Sequence, residues 1–131
     1  MISGADGFVG KALCAELFRR GYSVSAAVRS GSSLIENIET IVVGAINSET
    51  NWADALRDVD VVIHLAARVH VMRENATDPL AEFLKVNLHG TSNLARQAAC
   101  SGAKRLVYVS SIKVNGEQTS ATQSFTELDE P

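Results

Sequence analysis

The sequence predicts an α/β domain built on a doubly wound parallel sheet, and three observations carry the prediction. Short apolar strand-like runs alternate with helix-like runs along the chain. Gly4, Gly7 and Gly10 stand at a strand-to-helix turn. Chemically distinctive residues follow the strand-like runs: the glycine turn, then Arg29 and Ser30, Ala45 and Ile46, Leu65-Ala66-Ala67, and Ser110-Ser111. Such alternation implies parallel strands joined by right-handed helical crossovers. Sheets of this kind bind ligands outside the carboxyl ends of their strands.

The elements follow in order. Only Met1 and Ile2 precede Ser3, so the first strand is mostly absent. Phe8 to Arg20 reads as a helix, because Val9, Ala12, Leu13, Leu17 and Phe18 recur near the 3.6-residue period. Arg19 and Arg20 suit its last turn, and Gly21 its C′ position. Tyr22 to Val28 carries Val24, Ala26 and Val28 on one parity and reads as a strand, as does Thr40 to Val43. Trp52 to Arg57 reads as a short amphipathic helix with Trp52, Ala55 and Leu56 on its apolar face. Val59 to Ala67 holds Val61-Val62-Ile63, a run suited to a strand buried on both faces. Pro79 to Cys100 reads as one long helix with Asp78 as N-cap, Pro79 at the first helical position and Gly102 beyond its end. Leu106 to Val109 reads as a further buried strand, and Asn115 to Pro131 as loop.

Composition narrows the class. A chain of 131 residues supports at most one domain, 1–131, with 46% hydrophobic and 21% charged residues, the balance of a soluble globular fold. A net charge of −3 supplies no basic footprint for nucleic acid. No apolar run approaches a membrane span, and no secretory leader precedes the glycines. Cys14 and Cys100 fall on separate helices without C-x-x-C spacing and read as buried apolar residues in a reducing, cytoplasmic compartment. His64, His70 and His89 show no ligand spacing, so no metal site is expected.

The glycines carry the chemistry. A dinucleotide pyrophosphate needs backbone N–H groups that approach it unobstructed, and glycine removes the Cβ and permits positive φ. The first glycine turns the chain off its strand, the second brings backbone close to phosphate, and the third lets the helix pack on the sheet. The helix N-terminus adds free N–H donors and the positive end of its dipole. The spacing is G-x-x-G-x-x-G, not G-x-G-x-x-G. An ordinary tight turn explains three glycines equally well, and the other strand-end residues decide for the phosphate site.

At this point the residues resemble a family. Gly4-Ala5-Asp6-Gly7-Phe8-Val9-Gly10, Asp60-Val61-Val62-Ile63-His64-Leu65-Ala66-Ala67, Val86-Asn87-Leu88-His89-Gly90-Thr91 and Tyr108-Val109-Ser110-Ser111-Ile112-Lys113-Val114-Asn115-Gly116 are similar to extended short-chain dehydrogenases. They resemble in particular the NAD(P)-dependent epimerase/dehydratase family acting on nucleotide sugars. Ala67-Arg68-Val69-His70-Val71-Met72 and Ser111 to Gly116 resemble its bacterial nucleotide-sugar 4-epimerase and 4-ketoreductase branch.

The resemblance implies a Rossmann-type fold, truncated at both ends, that holds a nicotinamide dinucleotide. Gly4, Gly7 and Gly10, with the N–H groups of Phe8 and Val9, would hold the pyrophosphate. Leu65, Ala66 and Ala67 would form a small-residue floor under the cofactor. Asn87 would lie near the active site and hold its architecture. Ser111 would be the catalytic serine that orients the reacting oxygen, with Ser110 its structural neighbour. The fold class places an acidic residue at the end of the second strand when NAD is preferred. Arg29 stands there instead, flanked by Ser30 and Ser32, and a guanidinium suits a 2′-phosphate, so NADP is favoured over NAD.

Two departures qualify the resemblance. Relatives carry Asp where this chain has Ala45, leaving only Ile46 to pack on the adenine. The family's chemistry also rests on a Tyr-x-x-x-Lys pair, whose Tyr moves the proton. Only Tyr22 and Tyr108 occur here; Ala26 and Ile112 stand four residues on, and Lys113 is one place too late. The Phe125 to Pro131 ending resembles the segment just before the family's Tyr, and the substrate subdomain that would follow is not here.

The expectation is therefore the cofactor portion of an enzyme that exchanges hydride at a sugar carbon, C4 in most relatives, and that is inactive in this form. Its partner would be a nucleotide-diphosphate sugar, with a homodimer through helices that include the one after Asp78. The alternative is a non-catalytic NADP-sensing module. The short first strand sits at the sheet's centre, which predicts either a segment ahead of Met1 or an unusual association that closes the gap.

Overall fold

The computed structural model describes residues 1–31, 37–69, 76–119 and 124–130. Ser32, His70, Val71, Met72 and Pro131, named above, lie outside the described residues. The chain runs β1 (Ile2–Ser3), α1 (Phe8–Arg19), β2 (Ser25–Val28), β3 (Glu39–Val42), β4 (Val61–His64), α2 (Pro79–Phe83), a π-helical stretch (Leu84–Gly90), α3 (Thr91–Cys100), β5 (Arg105–Tyr108) and a 3-10 turn (Ile112–Val114). All strand pairs are parallel, in the order β3-β2-β1-β4-β5. The doubly wound sheet foreseen from the alternating pattern is present.

Period-2 alternation sorts the side chains into two layers. Met1, Ala27 and Val62 face one side, where Trp52, Ala55, Leu56, Leu94 and Ala98 complete a core between the sheet and α3. Ile2, Ala26, Val28 and Ile63 face the other, packing with Cys14, Leu13 and Leu17 of α1. Gly21, at φ +81°, ends α1 as anticipated.

The central strand is the shortest. β1 has only two residues, Ile2 and Ser3, paired with Ala26 and Ala27 on one side and with Ile63 and His64 on the other. The Met1 amine donates to Val61 O at 2.9 Å and Ile63 N to Met1 O at 2.9 Å, and burial pushes that amine below its ordinary pKa. β4 begins two residues before the register of β1, and a cleft of about 730 Å³ opens there. Met1, Tyr22, Ser25, Glu39, Asp58 and Asp60 are among its lining residues. It lies at the amino edge of the sheet, opposite the glycine turn.

Four expectations need correction. Trp52 to Arg57 is no helix: Leu56 N donates to Trp52 O at 2.9 Å, and the segment stays a run of turns. Its six residues are too few to repay helix nucleation, and Gln97 Oε1 of α3 accepts from Trp52 N instead, at 2.9 Å. β5 is not buried, since Val107 is 40% and Tyr108 48% exposed. It is the sheet's outer strand among the described residues, so an apolar run there lacks a covering layer. Cys100 ends α3 and is exposed, whereas Cys14 is buried. Val9 and Phe18 of α1 also point outward, because only the Leu13–Cys14–Leu17 stripe meets the sheet.

The long helix after Asp78 is continuous but not uniform. The Asp78 side chain accepts from Ala81 N at 3.0 Å, the capping role read from sequence. Seven residues in the middle, Leu84 to Gly90, are π-helical. Gly90 lies buried against Ile46, and a Cβ there would collide with the Ile46 Cγ2 methyl. Downstream, the buried Asn93 Nδ2 donates to Thr50 O at 2.8 Å and Asn47 O at 3.3 Å, while Gln97 Nε2 also donates to Thr50 O, at 2.8 Å. These bonds fasten the β3–β4 connection to α3.

Candidate functional site

The sheet's order reverses at β1, and in a doubly wound sheet the ligand crevice lies outside the carboxyl ends of the strands at such a point. The glycine turn occupies it. Gly4 follows Ser3 at φ +68°, a conformation that favours glycine. A Cβ there would stand 2.7 Å from Ala66 N and 2.9 Å from Ala66 Cα, so the turn rests directly on the segment after β4. Gly7 N donates to Gly4 O at 3.1 Å, and Gly7 O accepts from Lys11 N at 3.0 Å as α1 begins. Gly10 is buried against Gly4 O and the Ala5 backbone, where a Cβ would overlap both. Gly4 thus turns the chain off β1, Gly10 lets α1 close on the turn itself rather than on the sheet, and Gly7 is exposed between them.

α1 begins without a side-chain cap and without an acidic residue in its first turn. Its first N–H groups and the positive end of its dipole therefore face the crevice unneutralised. Phe8 is 95% exposed at this helix start. A phosphate needs these features together: open backbone donors, an approach free of side chains and a rigid base.

Other expected site residues fall around the same edge. Leu65 and Ala66 are half-buried after β4, with Leu65 N donating to Ser3 O at 3.1 Å, and Ala67 is exposed. Arg29 is exposed immediately after β2. Ile46 follows the Gly44 turn, φ +74°, and packs partly into the Trp52 core. Asn87 lies on the π-helical stretch, not on a free helix surface. Its Oδ1 accepts from Arg68 N at 2.8 Å and its Nδ2 donates to Arg68 O at 3.0 Å. That paired clamp holds the chain just after the alanines, and the Arg68 guanidinium lies 5.3 Å over the Phe83 ring. Ser111 is exposed after β5 and caps the 3-10 turn, its Oγ accepting from Lys113 N at 3.3 Å.

Sequence reasoning passed over a polar group beneath this edge. His64 is fully buried at the end of β4, with Ser3 Oγ 2.5 Å from its Nδ1 and Thr91 Oγ1 3.0 Å from its Nε2. The Tyr108 ring lies 5.8 Å from it, centroid to centroid. Burial lowers the imidazole's pKa below its ordinary value. Histidine spacing gave no signal, because the partners are far away in sequence. No group of metal-binding side chains occurs among the described residues. None of their helices is long and apolar enough to cross a membrane.

Parallel strands in this order, reversing beneath an uncapped glycine-lined helix start, define the class of doubly wound dinucleotide-binding domains. Within that class, the chain belongs to the NAD dependent epimerase/dehydratase family of extended short-chain dehydrogenases, whose family model matches residues 1–131. It is 42% identical over 120 residues to a UDP-glucose 4-epimerase of Vibrio cholerae, a match covering 91% of this chain and 36% of that protein. A short-chain dehydrogenase/reductase superfamily protein from Agrobacterium tumefaciens, solved with bound NAD, is 29% identical with a TM-score of 0.78, over 98% of this chain and 37% of that one. MoeE5, solved with UDP-glucuronic acid and NAD, is 28% identical with a TM-score of 0.79, over 99% and 41%. The chain thus spans little more than a third of the length of the curated relatives it matches.

Proposed function

We propose that this chain is the dinucleotide-binding portion of a nucleotide-diphosphate-sugar epimerase or ketoreductase. The observation that carries the reading is the backbone-to-backbone approach of Gly4 to Ala66 below an uncapped α1, which leaves no room for a Cβ beneath the turn. The residues fit the group. Gly4, Gly7, Gly10 and the N–H groups of Phe8 and Val9 would hold the pyrophosphate, and Leu65, Ala66 and Ala67 would lie under the cofactor. Ile46 would border the adenine. When bound, the nicotinamide supplies hydride exchange with a sugar carbon, C4 in this reading.

This chain's own residues would bind and orient. Asn87 keeps the segment after Ala67 in place through Arg68, and Ser111 would orient the reacting oxygen from the end of β5. The proton-transferring Tyr-x-x-x-Lys pair does not occur among these residues, so the 131-residue chain would bind without turning over. A nucleotide-diphosphate sugar as substrate is supported by MoeE5, which was solved with UDP-glucuronic acid. Arg29, exposed where an acid would select NAD, supports NADP. Leu80, Leu84 and Leu88, exposed on the long helix, support a homodimer along it.

Calorimetric titration of the chain with NADP and NAD tests the reading. Binding of both, tighter for NADP, without epimerase or reductase turnover is the expected result. Binding of neither refutes the dinucleotide site, and measurable turnover refutes the division of labour.

A further inference from the structure

The buried group beneath the crevice joins every element that the dinucleotide site depends on. Ser3 is the last residue of β1 and immediately precedes Gly4. His64 is its register partner on β4 and immediately precedes the Leu65–Ala67 floor. Thr91 opens α3, directly after Gly90. The imidazole touches both hydroxyls, and the Tyr108 ring of β5 lies beside it. A neutral imidazole donates from one nitrogen and accepts at the other, and a hydroxyl can take either part. Ser3 and Thr91 therefore satisfy the neutral ring completely. A charged ring donates from both nitrogens, and it would have to do so at zero exposure.

We propose that His64 is a positioning residue for the dinucleotide site: as a neutral ring bridging Ser3 and Thr91, it holds the Gly4 turn against Ala66 and so sets the shape of the pyrophosphate cradle. The proposal rests on the dinucleotide reading above. The geometry supports it in two ways. Ser3 and Gly4 are consecutive, as are His64 and Leu65, so a shift at the ring passes through one residue to the Gly4–Ala66 contact. The contact has no slack, because Gly4 has backbone rather than a flexible side chain against it. The groups facing the ring are Ser3 from β1, Thr91 from α3 and Tyr108 from β5, and burial accounts for the lowered imidazole pKa.

The sign of the pH dependence follows. A histidine whose pKa falls on folding binds protons more readily unfolded, so its contribution is present above the ordinary value of 6.5 and is lost on acidification. In the folded protein the cradle keeps its shape as long as the ring stays neutral.

The test compares the wild-type chain with Ser3→Ala, Thr91→Val, His64→Phe and His64→Gln. Each is titrated with NAD and NADP at about pH 8 and about pH 5.5, either side of an ordinary histidine pKa. Nitrogen-15 NMR follows the His64 ring over the same range. Comparing variants with the same dinucleotide cancels the ligand's own ionisation. The wild-type ring should stay neutral in one tautomer below its ordinary pKa, and Thr91→Val should disturb that tautomer. Ser3→Ala, Thr91→Val and His64→Phe should weaken dinucleotide binding about fivefold or more in the folded protein, the scale of one lost buried hydrogen bond. His64→Gln keeps a donor and an acceptor and should stay within about threefold of wild type at both pH values. Variants that melt earlier yet bind with wild-type affinity overturn the positioning role alone. A ring that titrates at its ordinary value also overturns it. A wild-type chain that binds neither dinucleotide overturns the dinucleotide reading and this role with it.

Discussion

Gly4 and Gly21 both sit in the left-handed region, at φ +68° and +81°, yet only Gly4 has neighbours where a Cβ would be. Alanine at either position carries the conformational cost of that region, about 1–2 kcal/mol. At Gly21 nothing lies within 4 Å of the added Cβ, so that cost is the whole effect. At Gly4 the new atom would meet Ala66 N at 2.7 Å and Leu65 C at 3.1 Å, both backbone atoms of the segment that follows β4. Relieving that overlap adds an overpacking term of about 1–3 kcal/mol. Gly4→Ala should therefore lose about 2–5 kcal/mol and Gly21→Ala about 1–2 kcal/mol, read from urea unfolding midpoints with unchanged slopes. Binding separates the pair more sharply. Gly21→Ala should keep wild-type dinucleotide affinity, whereas Gly4→Ala should lose about tenfold or more, because in the proposed function the displaced turn would carry the pyrophosphate donors. Equal stability losses with equal affinities would refute the claim that the Gly4–Ala66 approach builds the cradle.

Further outcomes follow from single contacts. Asn93→Ala removes the buried amide that donates to Thr50 O and Asn47 O, and should cost about 1–3 kcal/mol in chemical denaturation. Asn87→Ala opens the clamp on Arg68 and should cost about 1 kcal/mol because the site is only half-buried, while raising amide exchange at Arg68 and Val69. If Arg29 meets a 2′-phosphate as proposed, Arg29→Glu should weaken NADP about tenfold or more relative to NAD, the scale of a lost charge-assisted contact. An unchanged ratio in competitive titration would remove Arg29 from the site.

What was legible in the sequence is what short-range patterning encodes. The helix over Phe8 to Arg19 and the Asp78 cap follow from periodicity and capping chemistry, because both depend on residues within a few positions. The placing of Val62 and Ile63 in two different cores follows from the pleat of a strand apolar on both faces. The glycine turn was legible because its backbone demands exclude side chains. Other features depend on partners remote in sequence. Whether Val107 and Tyr108 are covered depends on what packs outside β5, which an apolar run does not encode. Trp52 to Arg57 has helical spacing, but Gln97 and Leu94 of α3 are its neighbours in space and hold it as turns. The His64 group joins residues 61 and 27 positions apart. His64 reads as one more residue in an apolar strand until Ser3 and Thr91 are brought beside it.

The central claim is that the glycine turn above β1 and β4 is the dinucleotide site. Amide chemical-shift mapping of the chain during titration with NADP tests it most directly. The account predicts saturable shifts centred on Gly4, Gly7, Val9, Gly10 and Ala66. Shifts centred instead on Ser25, Asp60 and Val61 around the amino-edge cleft, or no saturable shifts, would contradict it.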